Sequence, residues 1–197
     1  GGGIYFSNSA GTASYFSVFR ESLPQLKLQH CLHLPAMNKA IFLDRDGTLN
    51  SNEGHYYVWK IGDLLLNPGV SEALAQLKSR GYLLIGITNQ GGISKGEYAR
   101  EDVEAFHKAL LEGLCQDGAG LDEIYYCPHH ESKENCLCRK PLPLMIEKAM
   151  ARFNIDPALS YMVGDAPRDI QAGKAAGLKT ILIESNSDLR KILTKIH

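Results

Sequence analysis

Ile41-Phe42-Leu43-Asp44-Arg45-Asp46-Gly47-Thr48 is an apolar run that ends in two carboxylates and a glycine. Ala40–Leu43 has the length and composition of a strand buried on both faces, as in a parallel sheet. In extended backbone, residues two apart point the same way, so Asp44 and Asp46 can face one site beyond the strand. Two close carboxylates repel unless a cation lies between them, and hard oxygen ligands suit Mg²⁺. A carboxylate can also attack phosphorus, which divides a phosphoryl displacement into two steps. Its neighbour can protonate the leaving oxygen and later deprotonate water. Gly47 permits a sharp turn that brings backbone N–H groups toward phosphate oxygens. Taken alone, the pair also fits an acidic Asp-Gly surface turn.

Four more apolar runs have strand character: Tyr82–Ile87, Glu123–Tyr126, Tyr161–Val163 and Thr180–Ile183. Amphipathic stretches separate them. Val70, Ala73, Leu74 and Leu77 share one helical face, after Pro68 and before Gly81. Val103, Phe106, Leu110 and Leu114 mark a second helix, and Met145, Ile146, Ala149, Met150 and Phe153 a third. Ile170 with Ala175 and Ala176 marks a shorter fourth. Strand and helix alternate, which predicts an α/β fold: a Rossmann-like parallel sheet with helices on both faces. In such folds the ligand sits beyond the carboxyl ends of the strands. Polar residues collect there: Asp44 and Asp46, then Thr88-Asn89-Gln90-Gly91-Gly92, then Cys127-Pro128-His129-His130, then Gly164-Asp165. A solvated loop explains one such cluster easily and all four poorly.

The chain has 197 residues, 44% hydrophobic and 22% charged, with a net charge of −1. That is an ordinary globular composition, and no apolar stretch approaches the ~20 residues that cross a bilayer. Neither nucleic acid nor a membrane is expected as a partner, because no global positive charge draws the chain to them. An anionic ligand must be held by a few local cations, dipoles or a metal.

Phe42-Leu43-Asp44-Arg45-Asp46-Gly47-Thr48-Leu49, Thr88-Asn89, Lys140 and Gly164-Asp165 resemble the four motifs of the haloacid dehalogenase (HAD) phosphohydrolase superfamily. They stand in the family's order and span residues 41–169. With the cysteine loop described next, they look like its D-glycero-D-manno-heptose 1,7-bisphosphate phosphatase branch, whose histidinol-phosphate phosphatase relatives share the loop type. The resemblance implies that Asp44 is the nucleophile and Asp46 the acid/base. It implies Mg²⁺ held by the Asp44 side chain, the Asp46 backbone carbonyl and Asp165. Thr88 and Lys140 would bind the transferring phosphoryl group. Asp169 is expected to cap a helix or make a structural bond. Two positions depart from the branch. Ala166 stands where a lysine is common, which removes one expected phosphate contact, and Gly91 stands where a serine is common.

Three of five cysteines fall between 127 and 138, beside a histidine, which points to a metal site in a reducing compartment. Cys31 and Cys115 read as spare thiols. Cys127-x-His129 and Cys136-x-Cys138 are two i, i+2 pairs that can close a tetrahedron. Three thiolates and an imidazole leave no open position, so the expected Zn²⁺ is structural. His130 competes on spacing alone; the i, i+2 geometry and the family favour His129. Arg139 and Lys140 follow the last cysteine, so the metal would fix where two cations point.

HAD enzymes commonly close over substrate with a cap domain. Only 43 residues separate Asp44 from Thr88, and neither gap between motifs has room for a cap. Specificity is then expected from loops: Asn52-Glu53-Gly54-His55, Gln90-Gly91-Gly92, and Arg139, with Asn89 also expected to bind substrate. Tyr56, Tyr57 and Trp59 are expected to pack under the first loop rather than stack on substrate. The reading is a cytoplasmic, monomeric, Mg²⁺-dependent phosphatase that forms an aspartyl-phosphate on a small phosphorylated metabolite, a heptose bisphosphate first. Histidinol phosphate is the alternative substrate; a receiver-type phosphoaspartate domain or a non-catalytic zinc-stabilised binding module are the alternative classes. Residues 1–37 are Gly- and Ser-rich, with Arg20, Glu21 and Lys27 their only charges, and read as a disordered leader or extension before Met37.

Overall fold

β1 (Lys39–Leu43) is the middle strand of a five-stranded sheet completed by β2 (Tyr82–Asn89), β3 (Glu123–Cys127), β4 (Tyr161–Gly164) and β5 (Lys179–Leu182). The computed structural model describes residues 37–116 and 118–197. The reading of residues 1–37 as an extension therefore lies, apart from Met37, outside the described residues. The order is β3-β2-β1-β4-β5, and every pairing is parallel. Leu43 pairs with Gly86 on one side and Val163 on the other. The chain runs outward from β1 to β3, then crosses back to β4. β1 and β4 thus flank the topological switch point, where the loops leave in opposite directions and open a crevice.

The helices are α1 (Val70–Ser79), the single turn α2 (Gly92–Lys95), α3 (Arg100–Gln116), α4 (Leu144–Phe153) and α5 (Pro167–Ala175). Alternate β1 residues feed opposite layers, as the two-residue strand period requires. Ile41 and Leu43 pack with α1 and α3 through Val70, Leu74, Leu77, Leu110 and Leu114. Ala40 and Phe42 pack with Met145, Ile146 and Ala149 of α4 and Ala172 of α5. Arg80 caps the C-terminus of α1, and Gly81 follows at φ +81, the left-handed position that glycine fills without strain.

All five predicted strands are present with slightly shifted ends, and so are the four predicted helices; α2 was not foreseen. One face is corrected. Ala175 is exposed and Ile170 and Ala176 only half-buried, whereas α5 buries Asp169, Ala172 and Gly173. A side chain at Gly173 would run into Met162 and Thr180, so the helix seats on the sheet through small residues and a capping carboxylate. A search for large apolar residues misses such a face. Among the described residues no cap domain interrupts the fold. The loop after β1 carries one 3₁₀ turn, Ile61–Asp63.

Candidate active site

Asp44 is the first residue past β1, and its N–H still donates to Val163 O of β4 at 2.9 Å. The chain then turns: Leu49 and Asn50 N–H donate to Arg45 O at 2.8 and 3.0 Å. Gly47 sits inside this turn at φ +82, and a Cβ there would overlap the Asp165 carboxylate and Ser185 Oγ. The glycine therefore both makes the turn and lets Asp165 approach.

Asp44 is 3% exposed. Its Oδ1 accepts from Arg45 N–H at 2.8 Å and from Lys140 Nζ at 2.7 Å. Lys140 is itself buried, donates to Ile87 O at 2.6 Å, and pairs with Asp169 Oδ1 at 2.7 Å. Burial pushes the Asp44 carboxyl up to about 7 even though Lys140 pulls it down. Burial also acts against the Lys140 charge, but Asp44 and Asp169 outweigh it and hold the ammonium above its usual range. Asn89 fixes the lysine's backbone from both sides, accepting from Lys140 N–H and donating to Lys140 O, each at 3.0 Å.

Carboxylate oxygens of Asp44, Asp165 and Asp169 lie within 4.8 Å of one another. Asp169 has both oxygens engaged, Oδ1 with Lys140 and Oδ2 accepting from Ala166 N–H at 3.0 Å, so it caps α5 as expected. Asp165 Oδ1 is buried with no hydrogen-bond partner. A buried, unpartnered carboxylate oxygen beside Asp44 is what a hard cation would satisfy, so these donors fit Mg²⁺.

Asp46 is held by a separate set of partners. Arg45 grips it with two bonds, Nε to Oδ1 at 2.9 Å and Nη2 to Oδ2 at 2.8 Å, while Asn50 and Gln90 each donate at 3.1 Å. Gln90 is buried and also donates to Thr88 Oγ1 at 2.9 Å; Tyr98 holds it by donating to Oε1 at 2.8 Å. Arg45 is fully buried over the Phe106 ring and meets His107 Nε2 at 3.1 Å. Burial first, and then the Arg45 charge, push His107 down to about 3, so it is a neutral acceptor for the guanidinium.

The cleft above these groups, about 160 Å³, is lined by Asp46, Asn52, Tyr57, Asn89, Arg139 and Arg168, among others. Glu53, Gly54 and His55 are exposed and stand outside its lining; His55 instead reaches Asp63 at 3.9 Å. The loop is anchored on either side of them: Asn52 N–H donates to Asn186 Oδ1 at 3.1 Å before them, and after them Arg45 Nη2 donates to Val58 O at 2.5 Å and Trp59 stacks on Tyr98. Tyr57 packs edge-on to Tyr98, but Tyr56 is 83% exposed, which corrects the expectation that all three aromatics pack beneath the loop. At Gly91 a Cβ would meet His130 at 3.0 Å and Arg139 Nη1 at 3.1 Å, so a serine there would displace both. Arg45, Asn50, Tyr98, His107 and Arg168 were not singled out from sequence; only the place of Arg168, three residues past Asp165, carried a signal.

At the end of β3, Cys127, His129, Cys136 and Cys138 also bring one donor each within 4.8 Å. Cys127 Sγ lies 3.6 Å from Cys136 Sγ and 3.0 Å from Cys138 Sγ; His129 Nδ1 lies 3.2 Å from Cys138 Sγ. None of these cysteines is in a disulfide. A zinc tetrahedron with bonds of about 2.3 Å has sulfur–sulfur edges of roughly 3.8 Å, so the set needs only a small expansion. His130 turns away to Ser132, so the fourth donor is His129, whose Nε2 faces Glu134 at 4.0 Å.

A family model described as HAD-hydrolase-like matches residues 137–197. The chain is 45% identical over 159 residues to the D-glycero-beta-D-manno-heptose-1,7-bisphosphate 7-phosphatase of Pasteurella multocida, covering 78% of this chain and 85% of that one. It is 46% identical over 148 residues to the enzyme of the same name from Haemophilus ducreyi, covering 72% and 80%. The chain belongs to the heptose-bisphosphate phosphatase branch of the HAD superfamily. A crystal structure of D,D-heptose 1,7-bisphosphate phosphatase from B. bronchiseptica, complexed with magnesium and phosphate, superposes with a TM-score of 0.70 at 34% identity. That match covers 80% of this chain and 86% of the other. As HAD phosphatases are metal-dependent, the Asp44–Asp165 pair is the chain's natural candidate for the cation.

Proposed function

We propose that the chain is a Mg²⁺-dependent phosphatase that hydrolyses a sugar phosphate through an aspartyl-phosphate on Asp44, with D-glycero-D-manno-heptose 1,7-bisphosphate as substrate and the 7-phosphate as the group removed. The observation that carries the reading is the buried Asp44, 2.7 Å from Lys140 and beside the unpartnered oxygen of Asp165, at the switch point of the sheet. When bound by Asp44, Asp165 and the Asp46 backbone carbonyl, Mg²⁺ would supply positive charge to the phosphoryl oxygens.

The chain's own groups do the rest. The Asp44 carboxylate forms a bond to phosphorus as the ester oxygen leaves, and Asp46 gives that oxygen its proton. Water then attacks phosphorus, Asp46 takes the water's proton, and the Asp44–phosphorus bond breaks to release inorganic phosphate. Thr88, whose Oγ1 already accepts from Gln90, has its O–H left to donate to a phosphoryl oxygen. Arg45 and Gln90 hold the Asp46 carboxylate for its two proton transfers. A receiver-type domain has no use for such a group.

A panel of phosphate esters compared by kcat/KM tests the substrate, because that ratio measures discrimination. Heptose 1,7-bisphosphate is expected to exceed histidinol phosphate by at least about 100-fold, given that a mismatched polar substrate leaves buried groups unpaired. A preference for histidinol phosphate would replace the substrate and keep the mechanism.

The cysteine loop, on this reading, holds one structural Zn²⁺ in a reducing compartment, the cytoplasm, and the enzyme acts as a monomer. Burial pushes the Cys127 thiol up, so a cation must draw off its proton, and zinc affinity should fall as pH drops. Purified protein is expected to contain one zinc per chain. A zinc-selective chelator should abolish most activity, with recovery on adding Zn²⁺ but not Mg²⁺, because the loop positions Arg139 and Lys140. Full activity in zinc-free protein would sink the structural role.

A further inference from the structure

Two cavities meet at the zinc loop. The 160 Å³ cleft over Asp46 adjoins a larger hollow of about 450 Å³ lined by Pro141, Leu142 and Glu134, and Arg139 and Arg168 line both. The cations near this junction differ in how far they are already engaged. Lys140 is shared between Asp44 and Asp169, and Arg45 is spent on Asp46. Arg139 is tied to Glu131 at 2.5 Å and donates to His129 O at 3.2 Å. Arg168, in the first turn of α5, is exposed and has no hydrogen bond or ion pair among the described residues. It is therefore the cation whose guanidinium can engage an incoming anion without breaking another bond.

We infer that Arg168 is a specificity-determining residue that binds the second anionic group of a doubly phosphorylated substrate where the cleft meets the larger hollow. A substrate with one phosphate at Asp44 and another several atoms away would extend across this junction. The guanidinium offers a planar fork that matches phosphate oxygens two at a time. The chain's net charge of −1 supplies no general attraction, so a free local cation carries weight. The inference rests on the phosphatase reading and goes beyond it by assigning the residue that separates bisphosphates from monophosphates.

The test compares heptose 1,7-bisphosphate with heptose 7-phosphate, and fructose 1,6-bisphosphate with fructose 6-phosphate, on wild type, R168A and R168K. Wild type should favour the bisphosphate of the sugar it turns over. In R168A the bisphosphate-to-monophosphate ratio of kcat/KM should fall about ten- to a hundred-fold, mainly through KM, as expected for losing a charge-assisted pair. R168K should keep part of the preference, since it retains charge but not the fork. An exposed residue without partners leaves little reason for either variant to misfold. A ratio unmoved in R168A, or a wild type without preference, overturns the inference and leaves the phosphatase standing. No phosphate release from any ester by wild type would instead bring down the phosphatase reading, and the inference with it.

Discussion

Asp44→Asn is expected to lose about 10⁴-fold or more in kcat while the protein still folds. Removing a nucleophile typically has an effect of this size, equivalent to ~5.5 kcal/mol of barrier. The change keeps the shape and the Oδ1 acceptor for Lys140 and Arg45 N–H, so the local bonds at 2.7 and 2.8 Å can persist. It removes a carboxylate that burial already disfavours, having pushed its titration up to about 7. Fold and chemistry should therefore separate: the melting temperature holds or rises without metal, and turnover disappears. Phosphate-release assays beside a thermal melt decide it, and native-like turnover would refute Asp44 as the nucleophile. The wild type carries a related pH signature. Asp44 must be ionised to attack, so kcat/KM falls as pH drops through its titration. A cation at Asp44 and Asp165 favours the ionised form, so raising Mg²⁺ should move that acidic limb to lower pH.

The parts of this molecule that can be read along the chain are those whose physics is local. β1 through β5 are legible because a parallel sheet covered on both faces demands unbroken apolar runs such as Ala40–Leu43 and Tyr82–Ile87. The cysteine quartet is legible because two ligand pairs in extended chain must converge, and the donors do lie within 4.8 Å. Asp44 and Asp165 are legible because each ends a strand and the strands are neighbours. What escaped depends on contacts between distant segments. Which of the three aromatics packs inward depends on Tyr98, some forty residues on, against which Tyr57 and Trp59 lie. The grip on Asp46 uses Gln90, 44 residues away, and its arginine leans on His107, 62 residues from Arg45. The small buried face of α5 has no hydrophobic period to reveal it, and the freedom of Arg168 emerges only once Arg139 is seen to be occupied.

Lys140→Met should have the second-largest effect, and on stability as well as rate. The Lys140 side chain and those of its partners Asp44 and Asp169 are all buried, and both pairs measure 2.7 Å. A buried ion pair is weak evidence for net stabilisation, since an apolar replacement of the whole set can do as well. Removing one member is different, because it leaves two buried carboxylates, Asp44 and Asp169, without their shared counter-charge. Such a loss typically destabilises by roughly 3–5 kcal/mol. Protonating Asp44 offers an escape, and the sign follows. Its carboxyl, already raised to about 7, rises further without Lys140, so the native state holds the proton more tightly than the unfolded chain. Stability of the variant is then greatest below the ordinary carboxylate range and declines as pH climbs through neutrality. The urea midpoint should drop far more at pH 8 than at pH 5 relative to wild type, and kcat/KM should fall about 10²–10³-fold, the scale of losing one preorganised electrostatic group. Equal stability loss at the two pH values would mean that Lys140 contributes through packing of its stem rather than through charge. Unchanged turnover would show that the phosphoryl group is neutralised without it, leaving Thr88 and the cation to do so.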